Sequence, residues 1–264
     1  MIGIVVVSHS PALAQAAVEL ACAMVPPARR PALAIAAGVQ GGLGTDAVAI
    51  LEAITHVDGP DGVLVLMDLG SALMASEIAV EMLDPAVATR VRLSDAPLVE
   101  GLVGALVNAA SSGTLSTVAQ QAETALEAKR RHFAPGDSRP AAPIDLPDHD
   151  LVWRTVVHCN HGLHARPAAA LALVLGSFDV ESTVVSPRTG QQASGDSIIE
   201  IQSLAVRRGD RVDVLLEGAD VEQAAAALDL LAQRNFDEAP TLPGEPAPDR
   251  TEELEPEAPA GRWT

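Results

Sequence analysis

Hydrophobic positions divide this chain before any single residue does. Residues 2–7, IGIVVV, form a short, mostly β-branched run, and the alanine-rich stretch from Pro11 to about Met24 then repeats Leu13, Ala17, Leu20 and Met24 along one stripe. An apolar run without alternation is the pattern of a strand covered on both faces, and a recurrence every three to four residues is that of a helix. The pair recurs at 32–37 with 45–54, at 62–67 with 72–83, and more weakly at 89–93 with 97–110, before a further helix from Leu115 to about Arg131. Strands alternating with helices predict a doubly wound α/β domain over 1–131, with a mostly parallel sheet joined by right-handed crossovers.

The periodicity stops between His132 and Asp150, where APGDSRPAAPIDLPDHD reads as a semi-rigid, proline-rich linker spanning 132–150. Beyond it, the pattern predicts a strand at 151–158, a helix at 167–176 and a hairpin from 180–186 into a segment around Gln191. A short helix at 197–204, a strand at 211–217 and a helix at 221–233 follow. That order, βαββαβα over 151–236, is an α+β domain of a different kind. Residues 237–264, acidic and rich in proline, read as a disordered tail.

Composition narrows the function classes. A hydrophobic fraction of 48% with 20% charged residues describes a chain able to bury real cores. Seventeen basic against thirty-five acidic side chains, a net charge of −18, exclude nucleic acid as the main partner. No apolar run approaches the roughly 20 residues of a membrane span, so a cytoplasmic location with no membrane contact is expected. Cys22 and Cys159 lie far apart without metal spacing and read as reduced thiols.

The chemistry gathers at two histidines. His9 follows the first strand and precedes Pro11, so it sits in a strand-to-helix turn at the carboxyl edge of the sheet, where ligands collect in open α/β folds. A helix N-terminus there welcomes a phosphoryl group and favours the neutral imidazole that carries a nucleophilic lone pair. The next two turns fall on the same edge: GVQGGLGT at 38–45, with Gly41, Gly42 and Thr45, and DLGS at 68–71, with Gly70 and Ser71. Ser10 completes the set, and Asp68 can accept a hydrogen bond from one ring nitrogen and fix the tautomer. The plain alternative makes His9 a polar turn residue, the glycines strand ends and Asp68 a helix cap; three converging loops favour the phosphohistidine reading.

His164 repeats the situation in the second domain, in GLHARPA at 162–168, before a helix marked by Pro167. Arg166 adds a planar cation suited to phosphoryl oxygens. A zinc reading of His158, His161 and His164 with Cys159 is disfavoured, because Gly162 and Pro167 break the helix that three-residue spacing needs and no second ligand cluster follows. No metal is expected.

GLHARPA, with DSIIEIQSLAV at 196–206, resembles the active-site motif of HPr, the histidine-containing phosphocarrier of the bacterial phosphoenolpyruvate:sugar phosphotransferase system. The resemblance implies an open-faced sandwich, phosphorylation of His164 at Nδ1, Arg166 as phosphate partner and Ser197 at the position of a regulatory serine. Asp196 stands where Lys is common and Glu200 where Gly is common, so a helix cap is the alternative role of Ser197. VVSHS, GGLGT and VLVLMDLGSALMASEIA make residues 1–131 similar to a mannose-family enzyme IIA domain, and more closely to the phosphotransferase-subunit (DhaM) family of bacterial dihydroxyacetone kinase. There His9 is the second carrier, Asp68 orients it, and the Gly41–Thr45 and Gly70–Ser71 loops line the site.

The resemblance implies a relay from phosphoenolpyruvate through enzyme I to His164, then His9, then ADP on the DhaL subunit, whose ATP serves dihydroxyacetone on DhaK. No cofactor is expected on this chain. Some members continue into a truncated enzyme I domain; a tail of 28 residues is too short for one, so a separate enzyme I is expected. Delivery to a sugar-specific enzyme IIB, and a regulatory binding protein read through its phosphorylation state, are the alternatives. Transfer within one chain or across a homodimer formed through the enzyme IIA domain stays open.

Overall fold

The structure, a computed structural model, describes residues 1–127, 129–130 and 148–238. The predicted linker at 132–150 falls almost wholly outside these residues, as does the tail from 239 onward.

The first unit is built on β1 (Gly3–Ser8), β2 (Leu33–Ala37), β3 (Val63–Met67) and β4 (Val91–Leu93), in the order β2-β1-β3-β4 and parallel throughout. All six residues of β1 are buried, since it is central and covered on both faces. Alternate side chains part to opposite layers: Ile4, Val6 and Leu66 face α1 (Pro11–Cys22) and α5 (Leu98–Ala110), whereas Val5, Val7 and Val65 face α2 (Ala47–Val57) and α3 (Gly70–Glu81). The doubly wound architecture follows, with every β-to-α turn at the carboxyl edge of the sheet.

Three local features depart from the pattern. α1 buries Ala14, Ala17 and Ala21, while Leu13 and Leu20 are 44% and 47% exposed. Small side chains let the helix lie close to the sheet, and the stripe turns by one residue accordingly. A short helix, α4 (Pro85–Ala88), capped by Asp84, trims the fourth strand to three residues. α6 (Leu115–Glu123) is regular over nine residues and then tightens into a 3₁₀ turn at Thr124–Leu126.

The second unit is an antiparallel sheet of β5 (Leu151–Val156), β6 (Val180–Ser186), β7 (Gln191–Ser194) and β8 (Arg211–Gly218), in the order β5-β8-β6-β7. α7 (Ala165–Leu175), α8 (Ile198–Ser203) and α9 (Val221–Gln233) pack on it, burying Leu171, Leu175, Val184, Ile201, Val214 and Leu228. β5 stops before His158 because the chain there leaves the ladder: Val157 donates to Asp210 O at 2.9 Å and accepts from Gly209 at 2.7 Å. Order also continues past the predicted end, since Asn235–Asp237 form a 3₁₀ turn that carries Glu238 back onto the fold.

The units touch through α5, which lies against α7 and α8. Arg29 fastens this contact, donating to Ala110 O at 2.9 Å, Ser177 Oγ at 2.9 Å and Leu173 O at 3.3 Å.

Candidate functional site

His9 stands in the turn between β1 and α1, and Asp68 in the turn between β3 and α3. Parallel pairing of β1 with β3 sets the two turns side by side. The Asp68 carboxylate is fully engaged: Oδ2 accepts from the His9 amide at 2.8 Å and from Ser8 Oγ at 2.9 Å, and Oδ1 accepts from the Leu69 amide at 2.8 Å. Oδ1 also faces His9 Nδ1 at 2.9 Å. An ionised carboxylate can only accept, so Nδ1 carries the proton and Nε2 the lone pair. Ser71 Oγ lies 2.7 Å from Nε2 and donates to it.

Burial pulls the Asp68 carboxyl upward, but hydrogen bonds from the His9 ring, the His9 amide and Ser8 outweigh it and hold its pKa below the ordinary carboxylate value. The His9 side chain is 23% exposed. Gly70 and Ser71 begin the twelve-residue α3, and their amides donate to nothing among the described residues. Through the Ser71 hydroxyl, the N-terminus of α3, with its unpaired donors and partial positive charge, lies beside Nε2.

The other predicted members play smaller parts. Ser10 caps α1, its hydroxyl accepting from Leu13 N at 3.3 Å. Gly42 exchanges two hydrogen bonds with Val39, which leaves its amide spent; Gly41 turns the loop at φ +80°; Thr45 precedes the Asp46 cap of α2. The loop residue that reaches His9 is Gly44, donating to the histidine carbonyl at 2.9 Å. Sequence reasoning placed Gly38 and Gly44 in the 38–45 loop and Ser8 at the turn, but gave none of the three a role of its own. At Gly38, φ is +77° and a Cβ would stand 2.7 Å from Pro11. Ser8 is fully buried, and the signal for it was a lone hydroxyl ending an otherwise apolar strand.

His164 is the N-cap of α7, which begins at Ala165, two residues before its predicted start. Pro167 thus occupies the third helical position, still inside the first turn where no N–H is needed. The loop that delivers the ring requires Gly162, whose φ is +71° and whose Cβ would lie 1.9 Å from Val206 O. The His164 ring is 39% exposed, with its Nε2 atom buried, and the His161 ring meets it edge-on at a centroid distance of 5.9 Å. Arg166 is exposed and forms no hydrogen bond or ion pair among the described residues, so its guanidinium is open to an anion. Ser197 is 2% exposed and caps α8 through a bond from Glu200 N to its hydroxyl at 3.3 Å. A kinase would have to open that turn to reach it.

Among the described residues, no group of three or more His, Cys, Asp or Glu side chains is placed to hold a metal ion. No described helix is long and apolar enough to cross a membrane. Cys22 and Cys159 are free thiols.

Residues 3–119 match the EIIA-man family, described as the PTS system fructose IIA component, and residues 154–234 match the PTS-HPr family, described as the PTS HPr component phosphorylation site. The phosphoryl donor subunit DhaM of PEP-dependent dihydroxyacetone kinase from Klebsiella michiganensis is 42% identical over 95% of the chain, and that from Escherichia coli K12 is 39% identical over 90%. The alignments cover 53% and 51% of those relatives, so the chain spans about half their length. Phosphocarrier protein HPr of Mycoplasma genitalium is 38% identical over 31% of this chain and 93% of its own.

Proposed function

We propose, from the premise that this chain belongs to the phosphotransferase-system family that joins an enzyme IIA domain of the EIIA-man type to an HPr domain, that it is a two-histidine phosphoryl carrier. Enzyme I, charged by phosphoenolpyruvate, phosphorylates His164; the group passes to His9; and His9 hands it to ADP held by DhaL, in service of dihydroxyacetone on DhaK. The observation that carries this reading is the Asp68–His9–Ser71 array, in which a carboxylate holds Nδ1 at 2.9 Å and leaves Nε2 as the nucleophile beside two unpaired helix amides.

Each step is an in-line displacement at phosphorus, where the protein supplies position and charge stabilisation. Nε2 of His9 attacks the phosphorus on His164, an N–P bond forms as the donor N–P bond breaks, and the His164 nitrogen departs with the electron pair. The Nδ1 proton stays on the ring, and Asp68 stabilises the positive charge that develops. Ser71 must release Nε2 as the group arrives; its hydroxyl is then free to donate to a phosphoryl oxygen. Arg166 and the open amides of the first turn of α7 serve the same purpose at His164. This chemistry asks for no metal or cofactor on the chain.

Water must be kept from a phosphoramidate until the acceptor docks. Leu43 and Leu69, on the two loops that flank His9, are 78% and 61% exposed and supply an apolar rim that a partner surface can seal. The test incubates the chain with phosphoenolpyruvate, enzyme I and either ADP-loaded DhaL or an enzyme IIB protein. Label reaching ATP on DhaL supports this reading; label reaching only enzyme IIB replaces the acceptor; no label on the chain overturns the carrier role.

A further inference from the structure

We propose that Glu238 is a positioning residue for His164, holding the Nε2 edge of the ring so that Nδ1 is the nitrogen presented for phosphoryl transfer. The inference deepens the carrier reading and rests on it.

The chain adopts an unusual course to bring Glu238 there. After α9, Asn235, Phe236 and Asp237 take φ values of +53°, +54° and +53°. Residues with a Cβ rarely enter this left-handed region, and three in succession persist only where surrounding contacts fix them. Those contacts are present. Phe236 is 2% exposed, Arg234 grips Asp237 through Nε at 2.8 Å and Nη2 at 3.3 Å, and Asn235 O lies 3.5 Å from the Cys159 thiol.

The result is a buried carboxylate at the active-site loop. Glu238 is 10% exposed; Oε1 and Oε2 accept from the Asn160 amide at 2.9 and 3.1 Å, and Oε2 accepts from Asn235 Nδ2 at 3.0 Å. Oε1 keeps a free lone pair and stands 3.5 Å from His164 Nε2, which is buried and has no hydrogen-bond partner among the described residues. The ring as a whole is 39% exposed, so its open edge is the one bearing Nδ1. The other ionisable groups at the site are His161, edge-on to the ring, Cys159 below the carboxylate, Arg166 on α7 and Arg208, which holds Asn160 Oδ1 at 3.0 Å. Burial and then the Glu238 charge push the Cys159 thiol up to about 11, so it stays protonated.

A short contraction turns the 3.5 Å approach into an Nε2–H···Oε1 hydrogen bond. Nδ1 then keeps its lone pair, attacks the phosphorus carried by enzyme I, and forms the new N–P bond as the donor N–P bond breaks and the enzyme I nitrogen leaves with the electron pair. The proton remains on Nε2, facing the carboxylate. His9 shows the same device with the nitrogens exchanged: Asp68 holds Nδ1, and Nε2 reacts.

The test compares the full chain with Glu238→Gln and Glu238→Asp. The Gln oxygen still accepts from the Asn160 amide, so Glu238→Gln removes the charge and leaves the loop clasp. Nitrogen NMR, run without enzyme I, should find neutral His164 protonated at Nε2 in the wild type, a weakened preference in Glu238→Gln, and an unchanged His9. Phosphoryl uptake from enzyme I by His164 should slow about tenfold. Glu238→Asp, which keeps the charge at shorter reach, should retain more of both properties than Glu238→Gln. A wild-type tautomer for His164 in Glu238→Gln overturns the proposal, as does equal loss of uptake in both variants with the tautomer unchanged, which assigns Glu238 to the loop alone. If wild-type His164 takes no label at all, the carrier reading fails instead, and the NMR comparison still judges Glu238.

Discussion

Asp68 Oδ1 lies 2.9 Å from His9 Nδ1 while Oδ2 of the same carboxylate accepts from the His9 amide at 2.8 Å, so one side chain fixes both the backbone and the ring of a histidine 59 residues away in sequence. The ring has one nitrogen committed to the protein and the other turned to Ser71.

Asp68→Asn should therefore disable transfer more than folding. The amide can still accept from Ser8 and the His9 amide, but it no longer compels a proton onto Nδ1. Transfer from phosphorylated His164 to His9 should slow between about 10- and 100-fold, with uptake on His164 unchanged. Quenched-flow labelling of each histidine checks both halves.

The same carboxylate gives stability a pH signature. Its pKa is depressed in the folded state, so its contribution is present above the unfolded value of 3.8 and is lost as pH falls through the lower folded value. The melting-temperature gap between wild type and Asp68→Asn should be widest near neutrality and narrow below about pH 4. A gap independent of pH contradicts the ionised pairing.

Gly162→Ala should be among the most damaging single-methyl changes in the second unit. The new Cβ would lie 1.9 Å from Val206 O at a φ of +71°. Strain and forced displacement together should cost about 3 kcal/mol or more, read by denaturant unfolding, and should move His164 from its cap position.

The two thiols should separate cleanly by reactivity. Cys159 is buried and its pKa is pushed up to about 11, whereas Cys22 is partly exposed. At pH 8 a thiol reagent should modify Cys22 rapidly, with Cys159 reacting only on denaturation. Equal rates for both contradict the placement of Cys159.

Much of this was legible in the residues. The unbroken β1 run announced a parallel strand covered on both faces, and a histidine between a strand and Pro11 announced the turn. Pattern failed where small residues decide packing: Ala14, Ala17 and Ala21 carry α1, because close approach to the sheet rewards the smallest side chain and leaves Leu13 and Leu20 outside. It also failed where spatial pairing decides role. Nothing local distinguishes Gly44, whose amide meets His9, from Gly42, whose amide is spent on Val39. Glu238 was hidden for a different reason, since its acidic, proline-rich surroundings carry the composition of a disordered tail while Phe236 pins the preceding turn into the core.

The relay itself is tested most directly by phosphorus NMR of the chain charged with phosphoenolpyruvate and enzyme I. Two phosphohistidines are predicted, an Nδ1 species at His164 and an Nε2 species at His9. His9→Ala should retain only the first, and His164→Ala should show neither. A His164→Ala protein that still acquires phosphate on His9 at the wild-type rate would contradict the order of transfer, and a single Nδ1 species on His9 would contradict the role assigned to Asp68.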